Sequence, residues 1–141
     1  MLGPPAVFLP FKANKAERTV TAASSIVAVV DDDPHVLSAT ARLLRACGFR
    51  PQPFASAEAF LAREGGDEPD CLVLDVHLPG MSGIELRRRL QTNGLQLPVI
   101  FISAAADEAT RRAATEAGCI AYLNKPFDSG ALIDAIKKAV E

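Results

Sequence analysis

The chain has 141 residues, 49% of them apolar, a net charge of −2 and three cysteines. That length holds one domain plus a tail, and the mixing of acids and bases excludes a charge-driven binder of nucleic acid or anionic membrane. No apolar stretch approaches the roughly 20 residues of a membrane helix; Cys47, Cys71 and Cys119 are spaced neither for zinc nor as a redox pair, so all three read as small core residues in the reducing cytoplasm.

Residues 1–25 read as an N-terminal extension. Pro4, Pro5 and Pro10 are followed by the polar run Lys12 to Arg18. The short apolar patch Ala6 to Phe11 is broken by Pro10 and followed, not preceded, by basic residues, which is not a signal-peptide pattern.

Residues 26–141 alternate between two patterns. Four apolar runs, Ile26–Val30, Cys71–Leu74, Val99–Ile102 and Ile120–Leu123, have the length and branching of strands buried on both faces, as in a parallel sheet. A weaker fifth strand is expected over Arg50–Phe54. Between them lie amphipathic helices. Asp33-Pro34 opens the first as cap and first residue, with Val36, Thr40, Leu43 and Cys47 on one face and Gly48 ending it. Ser56 opens the second. Ser82 to Glu85 has the form of a capping box and opens the third. Asp107 to Ala117 forms the fourth, stopped by Gly118. Asp128 caps the fifth, where Phe127 and Leu132 form a hydrophobic staple and Leu132, Ile136 and Val140 a buried stripe. The short run Arg87-Arg88-Arg89 reads as a solvated helix face. This (βα)5 alternation implies a parallel sheet with helices on both faces, a three-layer α/β sandwich.

The chemistry-bearing residues follow the apolar runs. The first run ends in Asp31-Asp32-Asp33, the third strand in Asp75, the fourth in Ser103 and the fifth in Asn124-Lys125-Pro126. In open α/β sheets ligands bind beyond the carboxyl ends of the strands. Clustered carboxylates repel one another unless a cation sits among them. Their hard oxygens suit Mg2+, or Mn2+, rather than zinc. A carboxylate nucleophile, a metal, a hydroxyl and a lysine together suit phosphoryl transfer. Alone, each has a plainer reading: Asp33 is a helix cap, Ser103 a turn residue, Lys125 a surface lysine, and the side chains of His35 and His77 are solvated.

In order and spacing these residues resemble response-regulator receiver domains from about Ile26 onward. The matching stretches are Val29 to Pro34, Leu72 to Gly83, Pro98 to Ala104 and Lys125 to Phe127. Ser56 to Leu61 is similar to the subfamily often joined to helix-turn-helix output domains. The resemblance implies a flavodoxin-like sheet of order 2-1-3-4-5, with Asp75 as phosphoacceptor. It implies Mg2+ held by Asp31, Asp32, Asp75 and the backbone carbonyl of His77. Ser103 matches the switch hydroxyl, Lys125 the phosphate-contacting lysine and Tyr122 the switch aromatic, otherwise a half-buried ring with its hydroxyl in water. A cis bond between Lys125 and Pro126 also follows. His77 and Ala105 stand where the family varies and tunes phosphoryl lifetime.

The implied function is that of a switch rather than an enzyme. A histidine kinase or phosphotransfer protein would donate the phosphoryl group. The surface of the fourth helix, fifth strand and fifth helix would respond, with homodimerisation as one outcome and no direct contact with nucleic acid or membrane. Two alternatives stand beside it. One is a haloacid-dehalogenase-like phosphatase using Asp31-x-Asp33, which gives Asp75 no role. The other is a pseudo-receiver working without phosphorylation.

Overall fold

The computed structural model describes residues 25–141; the expected extension, Ser25 excepted, lies outside them. Strands and helices alternate as β1 (Ile26–Val30), α1 (Pro34–Ala46), β2 (Arg50–Phe54), α2 (Ala57–Leu61), β3 (Cys71–Asp75), α3 (Gly83–Thr92), β4 (Val99–Ser103), α4 (Glu108–Ala117), β5 (Ala121–Asn124) and α5 (Ser129–Val140). The sheet is parallel, in the order β2-β1-β3-β4-β5.

Strand alternation sorts the core into two layers. Ala28, Val30, Leu72, Leu74, Val99 and Phe101 face one side and pack with Ala57, Phe60, Leu86, Leu90, Ala114 and Ala117 of α2, α3 and α4. Val27, Val29, Cys71, Val73, Ile100 and Ile102 face the other and pack with Leu44 of α1 and Leu132, Ile133 and Ile136 of α5. Every residue of β1, β3 and β4 is buried, as their continuous apolar runs require.

Each helix starts where a polar side chain caps it. Asp33, Ser56, Ser82, Asp107 and Asp128 accept from backbone amides in the first turns of α1 to α5. The box at Ser82 is half formed: Ser82 Oγ accepts from the Glu85 amide at 3.1 Å, while the Glu85 carboxylate turns to Arg89. Phe127 and Leu132 share a cluster, as a staple requires.

Four sequence expectations need correction. The buried face of α1 is Thr40, Ala41 and Leu44: of the expected stripe Thr40 is buried and Val36 and Leu43 are half-buried, but Cys47 is exposed as the C-cap residue, and Phe49 closes that end of the core instead. β5 starts at Ala121 and is only half buried, because it lies at the sheet edge; Ile120, outside it, is 49% exposed. Only Cys71 is fully buried; Cys47 is exposed and Cys119 half buried. Arg87 is not solvated like Arg88 and Arg89. Its guanidinium donates to the carbonyls of Leu97 (2.8 Å) and Gly118 (3.1 Å), tying α3 to the loops flanking β4 and β5, and burial pulls its pKa down.

β2 tolerates Pro51 and Pro53 because it is an edge strand paired only with β1. The Arg50 amide donates inward to Ser25, and Asp31 donates to the Phe54 carbonyl. Positions 51 and 53, out of phase with Arg50, turn their nitrogens away from the sheet.

Candidate functional site

Register brings the site together. Val30 pairs with Leu74, so Asp31 and Asp75 come next, side by side, at the carboxyl ends of β1 and β3. Asp75 lies opposite Ile102, and Ser103 opposite Asn124, which puts Ser103 and Lys125 one step further out on β4 and β5. The strand order reverses at β1 and β3, the place where such sheets bind ligands.

Asp31 is fully buried, Asp75 is 4% exposed and Asp32 is exposed. One carboxylate oxygen from each lies within 4.8 Å of the others, a spacing suited to a cation. Backbone amides and Lys125 divide the oxygens of the two buried acids. Asp31 Oδ1 accepts from the Asp33 amide (2.9 Å) and Asp75 Oδ1 from the His77 amide (3.2 Å). Lys125 Nζ stands 2.8 Å from Asp31 Oδ2 and 3.2 Å from Asp75 Oδ2. The peptide bond between Lys125 and Pro126 is cis. The turn behind Asp75 is tight: a Cβ on Gly83 would stand 2.2 Å from the Asp75 carbonyl oxygen, so only glycine fits there.

Charge and burial compete in this cluster. Burial first, and repulsion from Asp31 second, push the Asp75 carboxyl above its ordinary pKa, against the pull of Lys125 and the His77 amide. Burial pulls the Lys125 ammonium down, but its bonds and charge interactions with Asp31 and Asp75 leave it above its ordinary value. The site thus holds more negative charge than its lysine balances.

Ser103 is fully buried, and its Oγ accepts from the Ala105 amide at 3.0 Å. The Asn124 amide side chain donates to the Ala105 carbonyl at 2.8 Å, bracing the same loop from β5. Tyr122 packs its half-buried ring against the α2–α4 layer. Its hydroxyl is not in water: it is buried, with no hydrogen-bond partner among the described residues. The Arg111 guanidinium lies 5.3 Å from the ring centroid. His77 and His35 are exposed. Asp33 does not join the cluster, because its carboxylate caps α1; the Asp31-x-Asp33 pair of a dehalogenase-like phosphatase is therefore not assembled.

Two acidic residues escaped the sequence reading. Asp70, buried at the base of β3, accepts from the Ile26 amide at 2.8 Å and anchors the start of β1. Glu58 in α2 accepts from the Met81 amide at 2.9 Å, 23 residues away. Neither stands after an apolar run, the signal that marked the others.

The model of the response regulator receiver domain family matches residues 27–137, and the chain belongs to that family. It is therefore a receiver domain of two-component signalling proteins. It is 42% identical over 117 residues to the response regulator protein TmoT of Ectopseudomonas mendocina, covering 83% of this chain and 53% of that protein. It is 36% identical over 115 residues to the transcriptional regulatory protein FixJ of Rhizobium meliloti, covering 82% and 56%. The chain thus spans about half the length of the curated relatives it matches. The crystal structure of a response regulator receiver protein from Burkholderia phymatum superposes with a TM-score of 0.73 at 41% identity, covering 83% of this chain and 95% of that one. Among the described residues no helix is long and apolar enough to cross a membrane.

Proposed function

We propose that this receiver takes a phosphoryl group on Asp75 from a phosphohistidine of a kinase or phosphotransfer protein. The observation that carries this reading is the cluster itself: Asp31, Asp32 and Asp75 within 4.8 Å, with Lys125 between the two buried acids. The Asp75 carboxylate attacks phosphorus, a new O–P bond replaces the donor's P–N bond, and the electron pair returns to the imidazole nitrogen. Asp31, Asp32, Asp75 and the His77 carbonyl would hold Mg2+, or Mn2+. The all-oxygen donor set fits, and so does the count of charges: three carboxylates lie within 4.8 Å beside one lysine. When bound, the ion neutralises charge on the phosphoryl oxygens. Lys125 follows the new charge as a point donor, and the Ser103 hydroxyl donates to a phosphoryl oxygen.

The output is a change of surface rather than turnover of a substrate. Moving Ser103 toward the phosphoryl group disturbs the Ser103–Ala105 turn and the space beside Tyr122, whose buried unpartnered hydroxyl makes its present position easy to bias. The α4–β5–α5 face then presents a different surface to a partner or to a second copy of the chain. We place this activity in the cytoplasm, with no direct contact to nucleic acid by this chain.

The test is intact-mass measurement after incubation with Mg2+ and acetyl phosphate. Wild type gains one phosphoryl adduct; Asp75→Asn gains none. An adduct retained in Asp75→Asn would overturn the assignment.

A further inference from the structure

The loop from Val76 to Ser82 joins β3 to α3 and carries His77, two residues beyond Asp75. Its two ends are held by backbone bonds: the Val76 amide donates to Ile102 and the Gly83 amide to Val76. Its middle is held from a different element. Glu58 Oε2 accepts from the Met81 amide at 2.9 Å. Gly80, at φ +73°, lies under the same carboxylate: a Cβ there would stand 2.6 Å from Glu58 Oε2. An L side chain would be strained in that backbone conformation and would push the carboxylate away. The loop backbone is thus shaped to seat Glu58.

Glu58 is presented from a firm base. α2 is short, but Ala57 and Phe60 are fully buried, and Phe60 meets Phe54 edge-on at 5.2 Å between ring centroids. The Arg63 guanidinium lies over the Phe60 ring, 4.0 Å from its centroid. The bond to Met81 is also the first cause that holds the Glu58 carboxyl below its ordinary pKa, so the acceptor is ionised at neutral pH. A charged acceptor gives a stronger bond than a neutral one.

We propose that Glu58 is a positioning residue for the metal-holding end of the site: by fixing Met81 it fixes the loop that carries His77, and with it the bond from the His77 amide to Asp75. This rests on the reading of Asp31, Asp32, Asp75 and the His77 carbonyl as the cation ligands. Glu58 touches none of the reacting atoms and acts only through the loop. Partners that orient ligands in this way commonly matter as much as contacts nearer the metal.

The experiment compares wild type, Glu58→Ala and Glu58→Gln by two readouts. The first is amide hydrogen exchange at Met81 and His77 in the metal-free protein, followed by NMR. The second is Mg2+ affinity, by NMR titration of the metal alone. Glu58→Ala should speed exchange at both amides and weaken Mg2+ binding roughly three- to tenfold. Glu58→Gln keeps an acceptor without the charge and should fall between Glu58→Ala and wild type in both readouts. Weaker Mg2+ binding in the variants without faster exchange at Met81 would assign the effect to charge at a distance and overturn the proposal, as would unchanged exchange in Glu58→Ala. Wild type that binds no Mg2+ would sink the ligand assignment itself, and the positioning role with it; normal wild-type binding left unaltered by Glu58→Ala would sink the positioning role alone.

Discussion

Among the described residues Lys125 is the one cation set between two buried carboxylates, and its removal is the sharpest test of the site's electrostatics. Its side chain is 18% exposed, those of Asp31 and Asp75 0% and 6%. Breaking a buried pair by deleting one partner costs about 3–5 kcal/mol, because the remaining charge is left uncompensated. Here two acids lose one shared partner, but each keeps a backbone amide, and Asp32 beside them is open to solvent. The low end applies, so Lys125→Met should destabilise the metal-free protein by about 3 kcal/mol at pH 7. For a domain of this size that lowers the melting temperature by roughly 12 °C. The assay is urea unfolding by circular dichroism in the presence of a chelator. A pH series adds the sign. The folded pKa of Asp75 lies above its unfolded value, so ionised Asp75 opposes folding above the folded pKa, and that opposition fades as pH falls toward the unfolded pKa. The gap between Lys125→Met and wild type should therefore shrink on acidification. Added Mg2+ should stabilise the variant more than wild type, since the ion replaces the missing charge. A variant as stable as wild type at pH 7, or a gap that does not change with pH, would refute the reasoning.

Asp75→Asn should raise metal-free stability at pH 7 by about 1 kcal/mol, since it removes a buried charge that repels Asp31. The gain should vanish as pH falls into the range where wild-type Asp75 takes up its proton; a loss of stability at pH 7 would contradict it. Arg87→Ala should cost about 2 kcal/mol through the unmet carbonyls of Leu97 and Gly118, and Arg87→Lys should recover less than half, because one ammonium cannot span both acceptors. Urea midpoints decide this, and a loss under about 0.5 kcal/mol would show that water replaces the guanidinium.

What the sequence made legible was whatever follows from one strong local signal. Runs such as Val99 to Ile102 are apolar on both faces because both faces are covered, so strand and sheet type are read together. Caps are legible for the same reason: Asp33 and Asp128 are chosen by the first helical turn next to them. Asp31, Asp75, Ser103 and Lys125 stand at strand ends, so the sheet register brings them together. Contacts between elements distant in sequence were not legible. Arg87 looked like its neighbours Arg88 and Arg89, and only the packing of α3 beside the β4 and β5 loops singles it out. The α1 stripe was legible only in part: Thr40 is buried and Val36 and Leu43 half-buried, but several small and apolar residues allow more than one face, and tertiary packing centres it on Thr40, Ala41 and Leu44 and leaves Cys47 exposed. Burial of the Tyr122 hydroxyl is likewise a property of the ring's position, not of its neighbours in sequence.

The two prolines of β2 bear on how the molecule behaves in a crowd. An outer strand ordinarily offers a row of amide donors to any passing extended chain. At positions 51 and 53 that row has no N–H to offer, so the β2 side of the sheet is a poor template for the growth of further strands. Concentrated or partly unfolded protein should therefore not stack from that side. The opposite border, β5, carries no proline between Ala121 and Asn124. Any association by strand addition is thus directed to the border next to α4 and α5, the face proposed above to present a changed surface to a partner.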